Sequence, residues 1–153
     1  MASYILDSSA LVKRYVAESG SIWVSNLSNP GSGNQIFVAN IAGVEVVAAL
    51  ARRRTSYRSG SADFGFLIDQ FRNDFKEVYK IVEVSPSIIK SAMHIAERHA
   101  LRGYDCIQLS SALFISQKYA ELGEKFTLVS ADLELNAAAI LEGVIVENPN
   151  DHP

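Results

Sequence analysis

Short apolar segments alternate with helix-like stretches along the whole chain, and that alternation limits the fold more than any other feature. Ser3 to Leu6, Ile36 to Val38, Val78 to Val84, Phe126 to Val129 and Val144 to Val146 are rich in strand formers. Each pair of neighbours is separated by one or two segments with helical spacing of apolar residues. Strands joined through helices need crossover connections, and crossovers build a parallel sheet with helices on both faces. The expected fold class is therefore α/β: a three-layer α/β/α sandwich around a short, mostly parallel sheet of about five strands. In 153 residues this is one domain, spanning 1–147, followed by a polar tail, 148–153, that reads as loose. Open sheets of this kind bind ligands at the carboxyl ends of their strands.

Punctuation supports the reading. Asp7-Ser8-Ser9 stops the first strand and supplies cap chemistry for a helix through Val16. Ser28 to Asn34 is a loop, Ser85-Pro86 opens a helix, and Gly103 and Gly123 bound a long apolar one. Phe64, Phe71 and Phe75 stand at helical spacing and read as core, and Trp23 as core or interface. Gly31 and Gly33 lack the lysine of a phosphate-binding loop. One cysteine, Cys106, excludes an internal disulfide and a thiolate zinc site. It reads as a buried helix residue. No apolar run approaches the ~20 residues of a membrane span, so a cytoplasmic protein without membrane contact is expected.

Four acids stand out by position. Asp7 ends the first strand, Glu45 lies early in the helix after the second, Asp105 opens the helix after Gly103, and Asp132 follows the fourth strand. Asp7 and Asp132 could simply cap helices, and Asp105 could complement a helix dipole. Glu45 resists such an account. Its neighbours are apolar from Ile41 to Ala51 apart from Gly43, and no base lies three or four residues away. A shared site would explain all four, but carboxylates gathered at one sheet edge repel one another unless a cation neutralises them. Oxygen donors without imidazole or thiolate suit Mg²⁺ or Mn²⁺.

The segments around these acids resemble the PIN domain, and within it the VapC-type toxins of prokaryotic toxin–antitoxin modules. Leu6-Asp7-Ser8-Ser9-Ala10-Leu11-Val12-Lys13-Arg14-Tyr15, followed by Glu18-Ser19-Gly20-Ser21, is similar to the family's opening. Leu101-Arg102-Gly103-Tyr104-Asp105-Cys106-Ile107-Gln108-Leu109-Ser110 resembles its Arg-x-x-Asp segment, and Ser130-Ala131-Asp132 its Ser/Thr-x-Asp motif. Glu45 stands where the family has its helical glutamate. Cys106, Gln108 and Ser110 replace the more usual Ala, His and Ala. Leu133-Glu134-Leu135 lacks a common aromatic, and Ala42 stands where a hydroxyl residue is frequent.

The resemblance implies a Mg²⁺-dependent endoribonuclease, with Mn²⁺ as a possible substitute, that hydrolyses RNA with activated water. Asp7, Glu45 and Asp105 would hold the metal, with Asp132 a direct or water-mediated ligand and Ser8 or Ser130 supporting them. It also implies a cognate antitoxin protein and a homodimer. The net charge of −3 does not oppose an RNA substrate: setting the four acids aside leaves 13 acids against 14 bases. Lys13, Arg14, Arg52 and Arg102 are candidate phosphate contacts. Arg52-Arg53-Arg54 and Arg58 also read as bases at the negative pole of a helix. A metal-free route would pair histidines, but His94 and His99 fall on different helix faces and His152 lies in the tail.

Other classes remain as alternatives: a solitary PIN nuclease in RNA processing, a phospho-acceptor domain, and a catalytically silent binding module. A haloacid-dehalogenase-like phosphatase needs a second Asp where Ser9 stands, and a receiver needs an acidic pair that is missing.

Overall fold

The computed structural model describes the backbone of residues 1–56 and 61–153, and side chains for 1–54 and 63–153. Arg58 lies outside the described residues. The strands are β1 (Ser3–Leu6), β2 (Gln35–Ala39), β3 (Lys80–Val82), β4 (Phe126–Val129) and β5 (Ile145–Glu147). The helices are α1 (Ser8–Leu11), α2 (Ser21–Leu27), α3 (Asn40–Ser56), α4 (Ser61–Glu77), α5 (Pro86–His99), α6 (Gly103–Glu121) and α7 (Leu133–Leu141). The described strands form one sheet in the order β3-β2-β1-β4-β5, with every pairing parallel.

Alternation along β1 sets the layers. Leu6 faces the cluster built with Leu11, Val24, Val46, Leu50 and Phe71, which packs α1 to α4 on one face. Ile5, its neighbour, joins Ile88, Ile95, Leu109, Leu128 and Leu135, which packs α5 to α7 on the other. A parallel sheet covered on both faces has apolar strands throughout, and β1, β2 and β4 are accordingly almost fully buried. The chain winds outward from β1 through β2 to β3, then crosses to the opposite side of β1 for β4 and β5. The strand order therefore reverses beside β1, and the crevice at that switch point lies where Asp7 and Ser130 end their strands.

Two expectations are corrected. The first helix does not run unbroken to Val16: after Leu11 it tightens into a 3₁₀ turn at Val12–Arg14. The tail is not loose. Asn148 caps a 3₁₀ turn at Pro149–Asp151, and Pro149 is buried. Gly20, at φ 83°, packs so closely that a Cβ there would meet the Pro149 carbonyl oxygen at 2.2 Å. The His152 ring stacks on Trp23 at 4.3 Å. Tail polarity hid this contact, because its partner lies in α2 near the other end of the chain.

The phenylalanine stripe is core as expected. Phe71 is buried against Tyr15, and Phe75 closes on Gly43, where a Cβ would stand 3.0 Å from the ring. Cys106 is also buried, and desolvation pushes its thiol pKa up. No helix among the described residues is long and apolar enough to cross a membrane.

Candidate active site

Asp7 is the centre of the sheet edge. Its extended backbone at the end of β1 makes it the N-cap of α1, and Oδ1 accepts from the Ala10 amide at 3.0 Å. The capping explanation is thus correct but incomplete. Ser9 Oγ lies 2.7 and 2.9 Å from the two Asp7 oxygens, and Ser130 donates to Oδ2 at 2.8 Å. Every donor on this buried carboxylate is neutral. Its pKa is pushed up to about 6, first by desolvation, with the negative charge of Glu45 adding to it against the hydrogen bonds that lower it.

Glu45 reaches this edge from α3. Ser8 donates to Oε2 at 3.0 Å and Gln108 to Oε1 at 2.9 Å. Asp105, in the first turn of α6, also has a raised pKa. Desolvation is the main cause, followed by the charge of Asp132, with Glu45 and Glu134 adding to it and Arg102 opposing. Asp132 caps α7, and Oδ1 alone takes the amides of Glu134 and Leu135. That leaves Oδ2 facing Arg102 at 3.6 Å. The same guanidinium lies 3.5 Å from Asp105. Glu45 thus acts electrostatically on both Asp7 and Asp105, and Asp132 on Asp105. The four acids share one edge of the molecule.

A hard divalent cation fits this donor set, because it is all oxygen and carries excess negative charge. Among the described residues, no three acid, histidine or cysteine side chains are drawn together into a group ready to hold an ion. Serine hydroxyls, Gln108 and Arg102 occupy the carboxylate oxygens instead. Ion entry would have to exchange some of these contacts.

The supporting serines occur as expected: Ser8 on Glu45, and Ser130 on Asp7 while accepting from the Asp132 amide at 3.0 Å. Three further residues escaped the sequence reading. Ser9 bridges Asp7 to the Ala131 amide, 2.9 Å away. Gln108 is buried one helical turn beyond Asp105, and its Oε1 has no hydrogen-bond partner. Asn136 donates to the Ser130 carbonyl at 2.8 Å. The spacing from Asp105 to Gln108 and from Asp132 to Asn136, one helical turn each, was the available signal. Ser110, another departure from the family pattern, has a structural role and binds the Ile88 carbonyl of α5.

Two of the four candidate phosphate contacts are corrected. Lys13 is buried and bound to Glu18 at 3.2 Å and the Ser19 carbonyl at 2.9 Å. Arg14 holds the Ser28 carbonyl and hydroxyl and pairs with Asp74. The turn after Leu11 carries both inward, where these ties occupy them. Arg52 and Arg102 are exposed. Of the histidines, His94 is exposed, His99 pairs with Glu142 at 2.7 Å, and His152 lies 3.0 Å from Glu147.

A three-layer parallel sandwich with acids from four elements at its switch point defines a PIN-like protein. Comparison with known proteins agrees. No family model matches the sequence. The ribonucleases VapC45 and VapC49, from two strains of Mycobacterium tuberculosis, are each 33% identical to it over 111 residues, 71% of this chain and 74% of theirs. A toxin–antitoxin complex from Klebsiella pneumoniae superposes with a TM-score of 0.64 at 14% identity, over 95% of this chain and 97% of that one. VapC20 of M. tuberculosis, described as a sarcin–ricin-loop-cleaving toxin, gives 0.60 at 13% identity, over 88% and 94%. The chain belongs to the VapC family.

Proposed function

We propose that this protein is a Mg²⁺-dependent endoribonuclease and the toxin of a toxin–antitoxin pair. The observation that carries the reading is Asp7: a buried carboxylate with only neutral donors, raised to about 6, beside Glu45 and at the same edge as Asp105 and Asp132. Natural cores seldom keep an uncompensated buried carboxylate, and a site built for a cation accounts for it. Its relatives named as ribonucleases support the substrate class.

In this reading Asp7, Glu45 and Asp105 hold the ion, and Asp132 reaches it directly or through water. When bound, Mg²⁺ or Mn²⁺ supplies the positive charge that activates water and offsets charge on the phosphodiester. Ser9 and Ser130 fix both Asp7 oxygens, and Ser8 and Gln108 fix both Glu45 oxygens. Arg102, on the solvent side of Asp105, is positioned to meet the RNA backbone. Attack by water gives a 5′-phosphate and a 3′-hydroxyl.

The cognate antitoxin would cover these acids. The contact of Arg102 with both Asp105 and Asp132 supports this, because a partner's arginine would find the same two carboxylates. The homodimer and the cytoplasmic location belong to the same reading. The test is cleavage of total RNA with and without Mg²⁺ by wild type, Asp7→Asn and Asp105→Asn. Cleavage should require the ion and fall on the order of 10³-fold in both variants, as for loss of a charge-stabilising group. Metal-independent cleavage, or full activity in both variants, would overturn the reading.

A further inference from the structure

Buried side-chain oxygens without a partner are rare in folded proteins, because leaving an acceptor dry costs more than a typical hydrogen bond contributes. Among the described residues two acceptors are in this state, Gln108 Oε1 and Asn136 Oδ1. Both belong to carboxamides one helical turn inside a site aspartate, Asp105 on α6 and Asp132 at the start of α7. Both direct their nitrogen at the site: Asn136 donates to the Ser130 carbonyl at 2.8 Å, and Gln108 to Glu45 Oε1 at 2.9 Å.

Gln108 also joins two parts of the fold. Glu45 lies on α3, in the helical layer that packs against Leu6, while Asp105 and Gln108 lie on α6 in the opposite layer. The amide therefore bridges the two layers beside the end of β1. A carboxylate only accepts, so it takes the amide nitrogen and turns the amide oxygen into the interior, where Gln108 is 2% exposed. The unpaired oxygen is thus a consequence of the contact with Glu45. An apolar side chain of the same length would fill the space without an orphan. A lysine or arginine would bring a fixed positive charge that competes with a cation. A carboxamide holds the carboxylate and leaves its charge uncompensated. We propose that Gln108 is a positioning residue: it fixes the Glu45 carboxylate relative to Asp105, so that oxygens from both layers face the same metal, and its unpaired oxygen is tolerated for that. The inference rests on the metal-dependent reading and adds to it a residue that acts through Glu45.

Gln108→Met keeps the length of the side chain and removes its amide. Glu45 is half-buried, so water can replace the lost donor. In urea unfolding of the full chain in chelator, the midpoint of Gln108→Met should equal or exceed that of wild type, because the unpaired oxygen is gone. In calorimetric titration with Mn²⁺ at pH 7, its affinity should fall about 10-fold, the low end for losing a partner that orients a metal ligand. Gln108→Asn keeps the carboxamide but draws its nitrogen back by one methylene, and should lose affinity as Gln108→Met does. Ser110→Ala, on the same helix, supplies the contrast. It removes the bond to the Ile88 carbonyl and should lower the unfolding midpoint while Mn²⁺ affinity stays within about twofold of wild type. Wild-type affinity in Gln108→Met, or a midpoint that falls together with the affinity, would overturn the proposal. Failure of the wild type to take up Mn²⁺ overturns the metal-dependent reading and this proposal with it. Uptake by wild type with unchanged affinity in Gln108→Met overturns this proposal alone.

Discussion

Two polar networks of this protein each hold a buried aspartate, and they are built on opposite charge logic. Asp74, on α4, receives the Tyr15 hydroxyl at 2.8 Å and faces the Arg14 guanidinium at 3.4 Å. Tyr79 closes the network on Tyr15 at 2.6 Å. Both phenols are held neutral: burial pushes Tyr79 up to about 12 and Tyr15 higher still. One carboxylate meets one guanidinium, and the charges balance. Asp7 has more hydrogen bonds, from Ser9, Ser130 and the Ala10 amide, but all their donors are neutral, and the charge that acts on it is another carboxylate, Glu45. The first network balances its charge within the fold, although the buried Arg14 Nε makes no hydrogen bond. In the proposed function a cation supplies the balance that the second lacks, and on that reading the difference separates an aspartate that stabilises the fold from one kept at a cost to it.

The sharpest way to break the comparison is to remove each aspartate. Asp74→Ala leaves Arg14 uncompensated and should destabilise the protein by about 3–5 kcal/mol in urea unfolding. Asp7→Asn should do the reverse in metal-free buffer and stabilise by about 2 kcal/mol. That is somewhat less than the roughly 3 kcal/mol its displaced pKa represents, because the amide nitrogen needs the serine hydroxyls to turn and accept. The sign has a pH signature. Folded Asp7 holds its proton up to about 6, whereas the unfolded carboxyl loses it near 3.8. Between those values the native state binds more protons, so this contribution lowers stability as pH rises and is fully present above about 6. The advantage of Asp7→Asn over wild type should be largest at pH 7 and vanish near pH 4.

Smaller changes sharpen the same contrast. Ser9→Ala removes a donor that orients Asp7 and should lower Mg²⁺-dependent cleavage about 10–100-fold, read as kcat/KM. Arg52→Gln should weaken RNA binding only a few-fold and reduce the salt dependence of binding by about one ion.

Much of this was legible in the sequence. β1, β2 and β4 are buried on both faces, so their apolar runs announced themselves. Asp7, Asp105 and Asp132 sit at element boundaries that the chain marks with serine or glycine, and Glu45 stood out as an acid in an apolar helix. What stayed hidden depends on partners distant in the chain. Lys13 and Arg14 look like surface bases until the turn after Leu11 brings them to Glu18, Ser28 and Asp74. The tail looks loose until Gly20 and Trp23 meet Pro149 and His152. Ser9 and Gln108 are common residue types, and only their geometry makes them part of the site.

The central claim of the proposed function is that the negative oxygens of Asp7, Glu45, Asp105 and Asp132 together bind divalent metal. Calorimetric titration of the chelator-stripped protein with Mn²⁺ at pH 7 tests it most directly. Saturable binding in wild type, lost in both Asp7→Asn and Asp105→Asn but kept in Asp63→Asn, a surface acid on α4, is the predicted result. Binding that survives in either of the first two variants, or fails to saturate in wild type, would contradict it.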